Sequence, residues 1–174
     1  MFTLNVTDPA QTQTIGETLA RYVRGGDLIM LTGDLGTGKT TLTQGLGRGL
    51  GVTGRVASPT FIIARVHPNP SGPDLVHVDA YRITDLDDLE TLDLDTALDE
   101  SVIVVEWGEG KTETLSTNRL EIILSAPAES SALTSMDEAD DGRRTITVSA
   151  IGPRWEDVDL EAALESALGG EEHL

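Results

Sequence analysis

The feature that most constrains this chain lies between Leu28 and Leu46. A short apolar run, Leu28-Ile29-Met30-Leu31, leads into Gly33-Asp34-Leu35-Gly36-Thr37-Gly38-Lys39-Thr40, and Thr41-Leu42-Thr43-Gln44-Gly45-Leu46 follows. The apolar run is too short and too uniform for an amphipathic helix and predicts a buried parallel strand. Gly, four residues, Gly, Lys, Thr is the spacing of a P-loop, and a strand before it with a helix after it is the context that the motif requires. Glycine lets backbone N–H groups converge on phosphate oxygens, because no Cβ blocks the approach. The start of the following helix adds the positive end of its dipole.

Each position then has an expected task. The backbone of Gly33, Asp34, Leu35, Gly36, Thr37 and Gly38 wraps the phosphates of ATP. Lys39 neutralises the β- and γ-phosphates, the Thr40 hydroxyl ligates Mg²⁺, and Thr41 adds a phosphate hydrogen bond. Such a loop needs a carboxylate at the end of an apolar strand to complete the metal shell. Two residues qualify: Glu106, after Val102-Ile103-Val104-Val105, and Asp79, after Leu75-Val76-His77-Val78. Glu106 follows the run unbroken by polar residues and is assigned to the metal. Asp79 is assigned to the attacking water or to the second shell of the metal, and the reverse assignment stays open. His77 alternates with Asp79 and is read as structural. Arg82 is read as equally suited to a phosphate or to the acids at 85–99. Ser58-Pro59-Thr60 is a weak match to a nucleotide-sensing switch.

The pattern around this centre is that of an α/β domain. Phe2, Leu4 and Val6 alternate as a short strand. Asp8-Pro9 opens a helix, which Gly25-Gly26 is expected to close. Gly45, Gly47, Gly49 and Gly51 weaken the helix after the P-loop, and the expected reason is close packing on the sheet. Strands are predicted at 61–66, 75–79 and 102–105. An acidic helical region over 85–99 separates the last two. An antiparallel pair at 120–124 and 145–151 and a last helix over 158–168 complete the reading. The polar stretch 126–142 is expected to be a mobile loop, and the end from 169 a frayed tail. One domain accounts for all 174 residues. With aromatics at 3%, Leu, Ile, Val and Ala must fill its core.

Charge and cysteine content narrow the function. The absence of cysteine excludes disulfides, iron–sulfur clusters and thiolate zinc sites. No signal peptide or membrane-length apolar run is present, so a soluble cytoplasmic protein is expected. A net charge of −18 is unsuited to broad nucleic-acid binding, which needs a positive surface to displace counterions. If the function involves RNA, another protein is expected to hold it. The acids at 85–100 lack the spacing of a calcium loop.

Four segments in order, GDLGTGKTT (33–41), SPTF (58–61), HVDAYR (77–82) and VEWGE (105–109), resemble the bacterial TsaE (YjeE) family, the ATPase of tRNA threonylcarbamoyladenosine biosynthesis. The resemblance spans residues 8 to 125. It implies a P-loop NTPase fold with a mostly parallel central sheet, added antiparallel strands and helices on both faces. It also implies a weak ATPase that acts on TsaB- and TsaD-like partners, with tRNA reached only through them. Lys39, Thr40, Asp79, Glu106 and Trp107 fall on functional positions of the family, and Thr12 matches a threonine placed near the adenine. At Ala64-Arg65-Val66 the chain departs from an acid–aromatic pair found in many members. Two rivals use the same loop: a small-molecule kinase, against which no Arg-rich lid segment is found, and a nucleotide-sensing module without useful hydrolysis.

Overall fold

The computed structural model describes residues 1–33, 37–52, 64–70, 72–79, 100–106, 118–126 and 143–169. Seven strands form one sheet: β1 (Phe2–Val6), β2 (Leu28–Thr32), β3 (Ala64–His67), β4 (Leu75–Asp79), β5 (Val102–Glu106), β6 (Arg119–Ser125) and β7 (Arg144–Ile151). The described helices are α1 (Pro9–Leu19), α2 (Lys39–Leu50) and α3 (Leu160–Gly169), with a 3-10 turn at Pro153–Trp155. Strand order is β1-β7-β6-β2-β5-β4-β3. The four central strands β6, β2, β5 and β4 run parallel. Antiparallel strands flank them, β3 at one side and β7 then β1 at the other. No helix among the described residues is long and apolar enough to cross a membrane.

Alternation along each strand sorts the core. Ile29 and Leu31 of β2, Val102 and Val104 of β5, Leu120 and Ile122 of β6, and Ile146 and Val148 of β7 share one cluster with Ile15 and Leu19 of α1, Leu42 and Leu46 of α2, and Leu160 and Leu164 of α3. All three described helices therefore lie over one face. The intervening residues Leu28, Met30, Ile103 and Val105 are buried as well, which is why β2 and β5 read as unbroken apolar runs rather than alternating ones.

Asp8 caps α1: its Oδ1 accepts from the Gln11 N–H at 2.9 Å, and Pro9 takes the first helical position, where an N–H would go unused. Asp8→Ala should cost about 1 kcal/mol, measurable as a lower denaturant midpoint with an unchanged slope.

Two expectations about helices need correction. Helix α1 ends at Leu19, capped by Ala20, and not at Gly25-Gly26. Irregular turns carry the chain through Tyr22, with Tyr22 N–H and Val23 N–H both donating to the Leu19 carbonyl. Tyr22 and Val23 preserve the apolar spacing after the helix itself has stopped. Secondly, Gly45 and Gly49 of α2 face α1 rather than the sheet. A Cβ at Gly45 would fall on the Gln13 carbonyl, and one at Gly49 would lie 2.6 Å from Ala20 Cβ and 2.9 Å from the Glu17 carbonyl oxygen. Gly16 answers from α1, where a Cβ would strike the backbone of Leu42 and Leu46. The two helices touch backbone to backbone.

The 3-10 turn after β7 is pinned to the segment that leads into β2. Arg154 donates to the Tyr22 carbonyl at 2.7 Å and to Asp27 at 3.2 Å, and its guanidinium lies 4.2 Å from the centre of the Trp155 ring. The predicted mobile loop and acidic helical region fall almost wholly outside the described residues.

Candidate functional site

Strand β2 delivers its last residues to the open end of the parallel strands, and α2 starts seven residues after Thr32, at Lys39. Between them Gly33, Thr37 and Gly38 are described, whereas Asp34, Leu35 and Gly36 lie outside the described residues. Gly38 has φ of 101°, a left-handed conformation that glycine adopts without a Cβ penalty. Gly33 is excluded from being larger by its surroundings: a Cβ there would lie 2.5 Å from the Leu124 carbonyl oxygen and 2.6 Å from Thr37 Oγ1. No side chain caps the amino terminus of α2, so the positive end of its dipole is left for a ligand.

The lysine is held over this loop. Lys39 is 6% exposed, and its Nζ donates to the Gly33 carbonyl at 2.6 Å. One turn on, Thr43 Oγ1 donates to the Lys39 carbonyl at 2.8 Å. Thr40 and Thr41 are half-buried in the first turn of α2. Thr12, on α1, is buried, and a Cβ at Gly38 would lie 3.7 Å from its methyl carbon. The structure thus brings Thr12 to the loop itself.

The carboxylates come from the two strands that follow β2 across the sheet, β5 and then β4. Register pairs Leu31 with Glu106 and Glu106 with Asp79, so the last residues of β5 and β4 stand side by side, Glu106 next to the strand that feeds the loop and Asp79 one strand further out. Glu106 is 5% exposed. Its Oε2 lies 2.6 Å from His77 Nε2. His77 is fully buried. With Glu106 as a carboxylate, which only accepts hydrogen bonds, Nε2 is the donor of this contact; among the described residues His77 Nδ1 has no partner. On β3, burial first, and then the charges of His77 and Arg65, push the His67 imidazole below its ordinary pKa and favour its neutral form.

A phosphate chain fits this centre: Gly33, where a Cβ would clash, Gly38 in a left-handed conformation, an uncapped helix start and a lysine held against the loop. Mg²⁺ fits it too. The ion prefers hard oxygen ligands and is usually held by one or two protein groups together with phosphates. Thr40 and Glu106 supply oxygens of that kind. Among the described residues no group of three or more His, Cys, Asp or Glu forms a metal cage without such phosphates.

Two residues here were not assigned to the site by the sequence. His77, read as structural, holds Glu106. Arg144 was not singled out, yet it is 8% exposed and its Nε donates to the Thr37 carbonyl at 3.1 Å. A signal was present for both. His77 sits two residues before the strand-end acid, and Arg144 alternates with Ile146 and Val148 on the buried side of its strand. Trp107, Arg82 and Ser58-Pro59-Thr60 lie outside the described residues.

The four-stranded parallel centre and the glycine loop between β2 and α2 define an α/β protein of the P-loop NTPase fold. A profile of the family described as "Threonylcarbamoyl adenosine biosynthesis protein TsaE" matches residues 6–133, and the chain belongs to that family. It is 53% identical over 148 residues to the tRNA threonylcarbamoyladenosine biosynthesis protein TsaE of Streptomyces coelicolor, covering 84% of this chain and 95% of that one. The protein of the same name from Bacillus subtilis is 37% identical over 150 residues, covering 86% and 85%. A crystal structure of Bacillus subtilis YdiB superposes with a TM-score of 0.67 at 30% identity, over 98% of this chain and 95% of that one.

Proposed function

We propose that this chain is a Mg²⁺-dependent ATPase that supports threonylcarbamoylation of tRNA adenosine by acting on TsaB- and TsaD-like partners. Membership of the TsaE family supports the pathway. The observation that carries the chemistry is the convergence of Lys39, folded onto Gly33, with Glu106, on the neighbouring strand end and fastened by His77.

The residues divide the work. The loop backbone and the start of α2 bind the phosphates. Lys39 exchanges its bond to the Gly33 carbonyl for phosphate oxygens, offsetting charge where it builds up during transfer. Thr40 and Glu106 would hold Mg²⁺, which supplies Lewis-acid neutralisation of the phosphate oxygens when bound. His77 fixes the Glu106 carboxylate in one orientation. Asp79, in register with Glu106, orients the attacking water and accepts its proton. Water is the acceptor of the γ-phosphoryl group, so the products are ADP and phosphate. With a net charge of −18, contact with tRNA is left to the partners.

The test is ATP hydrolysis by the purified protein, alone and with a TsaB–TsaD pair and tRNA. Hydrolysis that rises with the partners supports the reading; hydrolysis indifferent to them, but stimulated by a metabolite, would move the protein to the small-molecule kinases. Glu106→Gln keeps an acceptor for His77 while removing the charge. It should lower the rate by about ten- to a hundredfold with little change in thermal midpoint. A full rate in that variant would remove Glu106 from the metal shell and leave Asp79 to fill it.

A further inference from the structure

The geometry points to Arg144 as a positioning residue for nucleotide binding: it aims a phosphate-binding amide of the glycine loop from a distant strand. Arg144 is the first residue of β7, and it reaches across 107 positions of sequence to donate from Nε to the Thr37 carbonyl. Its own placement is fixed twice more. Register pairs it with Val6 on β1, and its guanidinium donates to the Arg143 carbonyl at 2.6 Å.

What this does follows from the peptide plane. The Thr37 carbonyl and the Gly38 N–H belong to one planar trans peptide and point in opposite directions. Holding the carbonyl toward β7 turns the Gly38 N–H the other way, to the side where the start of α2 and Lys39 face the loop. Gly38 needs such an external hold. It has a left-handed φ of 101° and no side chain of its own to steady that peptide, and no side chain caps the helix that follows. A guanidinium suits the task because it never loses its proton and donates in a fixed fork, which an ammonium cannot reproduce.

This inference rests on the reading of Gly33 to Thr40 as a nucleotide-phosphate loop, and the experiment separates the two. Mg·ADP is titrated into ¹⁵N-labelled wild type, Arg144→Met and Arg144→Lys, following the Gly38 amide proton and the dissociation constant. In the wild type the Gly38 proton moves downfield on binding. In Arg144→Met the movement shrinks and the affinity falls by about ten- to a hundredfold, the worth of a hydrogen bond involving a charged group. The cross-peaks of β2 and β5 stay in place. Arg144→Lys, with the charge but not the fork, recovers less than half of the loss on a logarithmic scale.

Wild-type affinity and shift in Arg144→Met overturn the role of Arg144 and leave the loop reading standing. Full recovery in Arg144→Lys overturns it too, because charge alone would then suffice. A wild-type protein that binds no ADP overturns both.

Discussion

Replacing Lys39 with alanine should cut ATP hydrolysis by roughly a hundred- to a thousandfold, the usual worth of a preorganised charge at a reacting centre, and leave the protein folded. Lys39 is 6% exposed, and its ammonium is bound to the Gly33 carbonyl. In the free protein that bond keeps the lysine from swinging into solvent, so little ordering remains to be done when phosphate arrives. Alanine removes the cation and frees one carbonyl, an exchange worth about 1–3 kcal/mol of stability. That is too little to explain a lost rate by unfolding. Phosphate release and a thermal melt on the same preparation check both halves. A variant that hydrolyses ATP at the wild-type rate would show that the loop is not where the chemistry happens.

The second large effect concerns stability. Gly45→Val should lower the thermal midpoint by roughly 6–12 °C, on the basis of about 3 kcal/mol for overpacking and about 2–4 °C per kcal/mol at this chain length. The added Cβ meets three backbone atoms of Gln13, its carbonyl oxygen, carbonyl carbon and Cα, and backbone cannot step aside as a flexible side chain can. Helix α1 must move off α2, which loosens Ile15 and Leu19 against Leu42 and Leu46. Gly169 is the control: a Cβ there has nothing within 4 Å, so Gly169→Ala should melt with the wild type. Equal midpoints for the two variants would show that α1 and α2 are not held at this distance in solution.

Much of this structure can be read locally. The strand ends of β2 and β5, the Asp8 cap and the late antiparallel pair are written in residues only a few positions apart, where period and capping rules apply directly. The P-loop is legible for the same reason. The order of the sheet is not. Nothing near β6 says that it pairs in parallel with β2, or that β1 pairs with β7 across more than a hundred residues. The end of α1 was misplaced because Tyr22 and Val23 keep helical spacing through a turn. The glycines of α2 were recognised as packing residues, but their partner was not, since Gln13 and Gly16 are distant in sequence. At the site, Lys39 and Glu106 declared themselves by motif and strand position. The grip of His77 on Glu106 needed the register of two strands, and the bond from Arg144 to Thr37 needed the whole sheet.

The backbone contact between α1 and α2 also bears on the order in which the chain assembles. With Gly45, Gly47 and Gly49 inside it, α2 is too poor a helix former to persist by itself; each glycine costs about 1 kcal/mol relative to alanine, and short helices are marginal even without them. It becomes helical when α1 is already there to receive it. The amino terminus of α2 carries Lys39 and Thr40, so the phosphate grip is not complete until the two helices have docked. A partly folded chain should then have no appreciable hold on nucleotide, and nucleotide should stabilise only the finished molecule.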